Sequence, residues 1–173
     1  MGKFTPNLAE KTKPMRELLS TENQWIWEAE QERSSLEVKK ELSSTPTPTL
    51  ALYSPYHKTT SSANASSYGL GAVLTQRQAD SCWRLVAYAS RAMTETEHMY
   101  AQVEKEALAV TWACEKFADY IIGKKFKLET EHKPLIPLLG RSMSLACLPP
   151  RIQRFRMRLM TMTYQIVHVL GKI

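Results

Sequence analysis

Six apolar residues, Val103, Ala107, Val110, Cys114, Phe117 and Ile121, recur at intervals of 4-3-4-3-4. That spacing draws one stripe along roughly five helical turns, so the segment must lie on a second layer of structure that covers the stripe. Its start is marked by Thr94-Glu95-Thr96-Glu97. This is a capping box, in which the Thr94 hydroxyl and the Glu97 carboxylate satisfy each other's otherwise unpaired N–H groups. Gly123 marks its end. The pattern predicts one long helix between those signals.

The layer it covers is legible on both sides. Residues 58–66, 69–76 and 83–90 are short, β-prone and separated by turn residues, the pattern of a three-stranded antiparallel meander. In the third, Trp83, Leu85, Ala87 and Ala89 alternate with Arg84, Val86, Tyr88 and Ser90. Downstream, Phe126–Glu131 reads as a fourth strand and Tyr164–Val169 as a fifth, with short helices at Pro134–Leu139 and from Pro149 to about Met160. Together these predict an α/β domain, a five-stranded mixed sheet with flanking helices. The first 44 residues read as amphipathic helix, opened by Pro14 and resumed between Glu28 and Leu42 after Trp25-Ile26-Trp27. Thr45-Pro46-Thr47-Pro48 continues neither helix nor central strand. The expected division is therefore a helical extension at 1–49 and a domain at 50–173.

Charge is unevenly placed. The chain has 23 basic and 17 acidic residues, a net +6, and residues 141–173 hold six basic residues and no acid. A polyanion would therefore approach the C-terminal segment. Of the 17 acids only Asp80 and Asp119 are aspartates. No apolar run spans a bilayer, and the N-terminus lacks an apolar signal core, so the expected setting is intracellular, cytoplasmic or nuclear, with no membrane partner. Cys82, Cys114 and Cys147 are too dispersed for a zinc cluster and read as small core residues, as the methionines, including Met157, Met160 and Met162, read as core filler. On the long helix Glu106 lies about 60° from the centre of the stripe. By position alone it is a solvated acid at the border of the packed face. His132 and His168 have no ligand spacing and read as structural.

Several blocks resemble one family. Ser62-Ala63-Asn64-Ala65-Ser66-Ser67-Tyr68-Gly69-Leu70-Gly71-Ala72-Val73-Leu74, Val86 through Arg91, Tyr100 through Val110, Leu128 through Leu135 and Leu148-Pro149-Pro150-Arg151-Ile152 are similar to the ribonuclease H domain of gypsy-type retrotransposon reverse transcriptases. Phe4 through Ala9 and Trp25-Ile26-Trp27 resemble the end of the polymerase thumb and its connection to that domain. The resemblance implies a ribonuclease H-like fold that cleaves RNA in an RNA–DNA hybrid with two Mg²⁺ ions, in a chain joined to the remainder of a reverse transcriptase polyprotein. Two divalent ions about 3.5–4 Å apart need several converging carboxylates. The family supplies an Asp in the first strand, a Glu on the long helix, an Asp at the end of the fourth strand and an Asp after the fifth.

Carried over by residue, Glu106 matches the helix Glu. Asn64 stands at the first Asp, Glu131 stands at the next, and the sequence stops at Ile173 without the last. Asn64 is neutral, and Glu131 sets its carboxylate one methylene further out. The expectation is a domain impaired or silent as a nuclease, C-terminally truncated, or alternatively a non-catalytic fragment that binds nucleic acid or protein. Ser61 and Ser35 stand where the family places a large apolar residue and an aromatic. Arg151, Arg154 and Arg158 share one helical face, which by spacing is a solvated charged face and in light of the resemblance a contact for the hybrid backbone.

Overall fold

The computed structural model describes residues 8–20, 23–43 and 50–170. Five strands, β1 Thr59–Ala65, β2 Gly69–Arg77, β3 Trp83–Ala92, β4 Lys125–Thr130 and β5 Thr163–His168, form one sheet ordered β3-β2-β1-β4-β5. β1, β2 and β3 are antiparallel neighbours, whereas β4 runs parallel to β1 and β5 parallel to β4. This is the expected five-stranded mixed sheet. The parallel pairings arise because helices separate those strands in sequence and return the chain to the same end of the sheet.

Helices α1 (Leu8–Lys11), α2 (Lys13–Glu17) and α3 (Ala29–Ser43) precede the sheet. α1 packs against β2 and β3 as well as α3, and the Lys13 ammonium lies 4.2 Å from the centre of the Tyr68 ring. Trp25, Ile26 and Trp27 remain exposed. The expected break at Thr45–Pro48 lies outside the described residues. In α3 the buried serine is Ser34, which donates to the Lys11 carbonyl, while Ser35 is only half-buried.

Between β3 and β4 stand α4 (Glu95–His98), α5 (Gln102–Lys116) and α6 (Ala118–Ile121), and between β4 and β5 stand α7 (Leu135–Leu139) and α8 (Pro150–Arg158). The single long helix is thus divided. The Thr94–Glu97 capping box forms as read, but it opens only α4. Ala101 is extended (φ −60°, ψ 153°), and the Glu104 carboxylate accepts its N–H at 3.1 Å, starting α5 afresh. Phe117 interrupts the helix a second time. The stripe still packs inward, with Ala107, Val110, Cys114, Phe117 and Ile121 buried and Val103 partly so. Gly123 follows α6 at φ +78°, a left-handed conformation that side chains rarely adopt.

Three other expectations need correction. In β3, Ala87 pairs with Leu74 but Leu85 pairs with Thr75, so Val86 is the extra residue of a bulge. Val86 and Ala87 are both buried, and strict alternation fails there. Of the cysteines only Cys114 is core; Cys82 and Cys147 are exposed. Of the methionines named above, Met162 is buried while Met157 and Met160 are exposed. Among the described residues no helix is long and apolar enough to cross a membrane.

Ser61 is fully buried on β1, and its hydroxyl has no hydrogen-bond partner among the described residues. Removing an unsatisfied buried polar group relieves its desolvation cost. Ser61→Ala is expected to stabilise the chain by about 1–2 kcal/mol, read as an increased denaturant midpoint with an unchanged slope.

Candidate functional site

The parallel register of β1 and β4 aligns Ser62 with Glu129. Two residues further along each strand stand Asn64 and Glu131, at the same carboxyl-terminal end of neighbouring strands. β4 stops at Thr130, so Glu131 occupies the first position of the loop beyond it. Its carbonyl lies 3.1 Å from His168 Nε2, and the Val169 N–H donates to the Thr130 carbonyl at 3.0 Å, fixing where β4 ends against β5. The His132 N–H donates to Thr130 Oγ1 at 3.1 Å.

Glu106 reaches this end from α5. It is buried, 8% exposed, rather than a solvated border acid. Its Oε1 accepts from Gln102 Nε2 at 2.9 Å, one helical turn earlier, and its Oε2 accepts from the Ala65 N–H at 3.3 Å. Burial holds its carboxyl above the ordinary range; the bonds from Gln102 and Ala65 pull it back, and the charge of Glu131 adds to the rise. Glu106 and Glu131 thus act on one another at the carboxyl-terminal end of β1 and β4, with Asn64 adjoining the backbone that Glu106 holds. Gln102 was missed by sequence reasoning, although its spacing four residues before Glu106 was a readable signal.

As a place for two Mg²⁺ ions this set falls short. It offers a neutral amide at Asn64 and only two acids, Glu131 and a Glu106 that already accepts one hydrogen bond on each oxygen. Among the described residues no group of three or more His, Cys, Asp or Glu is placed to hold a metal ion. Hard, reluctantly dehydrated Mg²⁺ needs anionic oxygen around it.

The arginine face of α8 is differently occupied. Arg151 pairs with Glu104 at 2.7 Å and lies 3.9 Å over the Tyr100 ring, and Arg158 binds both carboxylate oxygens of Glu115, Nε to Oε1 at 2.6 Å. Both therefore tie α8 to α5. Arg156 donates to the Met143 carbonyl at 2.6 Å. Arg154 is exposed.

Comparison with known proteins gives a consistent picture. Residues 55–162 match the family described as the RNase H-like domain found in reverse transcriptase. The Pol polyproteins of the Drosophila melanogaster transposons 297 and 412 are each 30% identical to the chain over 98% of its length. The chain spans only 15% and 13% of those relatives, which are much larger polyproteins. Among solved structures, the foamy viral protease-reverse transcriptase in complex with RNA/DNA hybrid is similar over 97% of this chain and 23% of that one (TM-score 0.73, 21% identity). The same enzyme in complex with dsDNA is similar over 99% and 36%, at the same TM-score and identity.

Proposed function

The chain belongs to the RNase H-like domains found in reverse transcriptase, and from that premise we propose that it is a gypsy-type retroelement domain, impaired as a nuclease, whose remaining capacity is to bind nucleic acid. The observation that carries this reading is a neutral Asn64 next in sequence to Ala65, whose N–H is held by Glu106, a carboxylate that also accepts from Gln102. Metal-assisted hydrolysis in this family takes two Mg²⁺ ions to activate water and steady the leaving oxygen. The donors present do not fit that pair, so no hydrolytic step is assigned to them. The foamy viral relative of the same fold was solved with an RNA/DNA hybrid, which supports a hybrid as the ligand class. The setting proposed is intracellular, with the remainder of a Pol polyprotein as the natural neighbour.

The test is incubation of the chain with a labelled RNA–DNA hybrid in Mg²⁺. No cleavage is expected. Cleavage that disappears in Glu106→Gln would overturn the reading. Restoring Asn64→Asp and Glu131→Asp together is expected to recover metal binding before turnover, as read by calorimetry.

Binding should be weak, indifferent to sequence and steeply salt-dependent. The ion pairs divide the arginine face. Arg154→Ala is expected to lower the salt slope by about 1, as for one phosphate contact. Arg151→Ala and Arg158→Ala are expected to act chiefly on thermal stability, because their charges already face Glu104 and Glu115. A titration of fluorescent hybrid at several salt concentrations separates the two effects.

A further inference from the structure

At the carboxyl-terminal end of β1 stands a donor for which the sheet has no acceptor. Ser66 N–H donates to the Gly69 carbonyl, and Arg77 N–H donates to the Lys58 carbonyl. In that antiparallel register the even-numbered residues of β1 exchange bonds with β2, and the odd-numbered ones turn theirs toward β4. The β4 pairing covers only Thr60, Ser61 and Ser62. Ala65 is buried beyond it, 8% exposed, so its N–H faces a side where no strand continues. A buried N–H without an acceptor is costly. The acceptor it finds is Glu106 Oε2, carried in by α5.

We infer that Glu106 is a metal-independent clasp, closing α5 onto the end of β1 by accepting the stranded Ala65 N–H, and that neutral Asn64 is what lets this carboxylate stay there without a cation. Gln102 completes the arrangement by occupying the second oxygen. An acid at position 64 would add a negative charge near Glu106, with Glu131 already contributing one, and like charges so placed stay ionised only at a cost that a counter-cation or an added proton relieves. The inference rests on the misfit between these donors and two Mg²⁺ ions argued for the proposed function. It adds that Glu106 has a folding reason to be present.

The experiment is thermal unfolding of the full chain in EDTA and in millimolar Mg²⁺, with amide exchange followed at Ala65. Glu106→Ala should lower the midpoint by about 4–8 °C. Glu106→Gln keeps an acceptor for Ala65, and Gln102 can turn its amide to match, so its midpoint should stay within about 2 °C and the Ala65 amide should remain protected. Asn64→Asp should lower the midpoint in EDTA. Mg²⁺ should leave the wild-type midpoint unmoved.

A wild-type midpoint that rises with Mg²⁺, with the rise lost in Glu106→Gln, would overturn the inference by making Glu106 a metal ligand. So would an unprotected Ala65 amide in folded Glu106→Gln, or an Asn64→Asp midpoint unchanged in EDTA. Should Glu106→Ala fail to fold, the exchange measurement on Glu106→Gln still decides. An unprotected Ala65 amide would leave the proposed function standing, since that reading falls only to the cleavage assay.

Discussion

Phe117→Ala is expected to destabilise the chain by about 3–5 kcal/mol, a large part of the 5–15 kcal/mol typical of a whole domain. Phe117 is only 2% exposed and sits where α5 gives way to α6, among Ala113, Cys114 and Ile121 of the same buried cluster. Alanine would lose the transfer energy of an aromatic ring and leave a cavity that two helix ends and a sheet cannot collapse around. Urea titration is the measurement. A loss below about 1 kcal/mol would mean that the ring is not held by the core.

Gln76→Ala should cost about 2–4 kcal/mol through a different route. Gln76 is fully buried in β2. Its Oε1 accepts the Ser54 N–H at 2.9 Å, and its Nε2 donates to the Ser54 carbonyl and to Thr59 Oγ1, each at 2.8 Å. One amide therefore mimics a strand partner for the segment that leads into β1. Next to it Lys124 Nζ donates to the His57 carbonyl and Thr59 Oγ1, each at 2.9 Å, and burial pulls its amine below the ordinary lysine range. Without Gln76 the Ser54 N–H loses its acceptor, and the Ser54 carbonyl keeps only the His57 N–H, at 3.4 Å. The Ser54 amide should then exchange far faster while amides of β4 are affected only through global stability. Equal acceleration everywhere would show that the segment has no separate fastening.

These two residues also show where sequence reading succeeds and where it stops. Phe117 was legible because the 4-3-4 stripe depends only on the geometry of one helix. The strands and the Thr94–Glu97 box were legible for the same local reason. Gln76 was not, because its value lies in a backbone 22 residues away that folds back over it. Val86 read as facing the opposite side from Ala87, since a bulge is decided by the register of the neighbouring strand. Glu106 read as solvated because its angle on the helix is silent about what covers it, and the cover is the end of β1. Arg151 and Arg158 read as a free basic face because their partners, Glu104 and Glu115, lie 47 and 43 residues earlier. The break at Ala101 escaped notice because alanine is a good helix former, and Glu104 capping its N–H overrides that preference.

The parallel pairing of β1 with β4 has a kinetic consequence. The meander β1-β2-β3 closes through short turns and can assemble as soon as it leaves the ribosome, but Ser62 meets Glu129 only after 67 further residues. β5 comes later still, at Thr163–His168. Closing such distant contacts is slow, because the loop entropy is lost before any pairing compensates it. Until β4 arrives, the inner edge of β1 is an open row of donors and acceptors, and the apolar side of α5 has only half a sheet to lie on. The nascent meander is thus the state most exposed to pairing with the wrong chain.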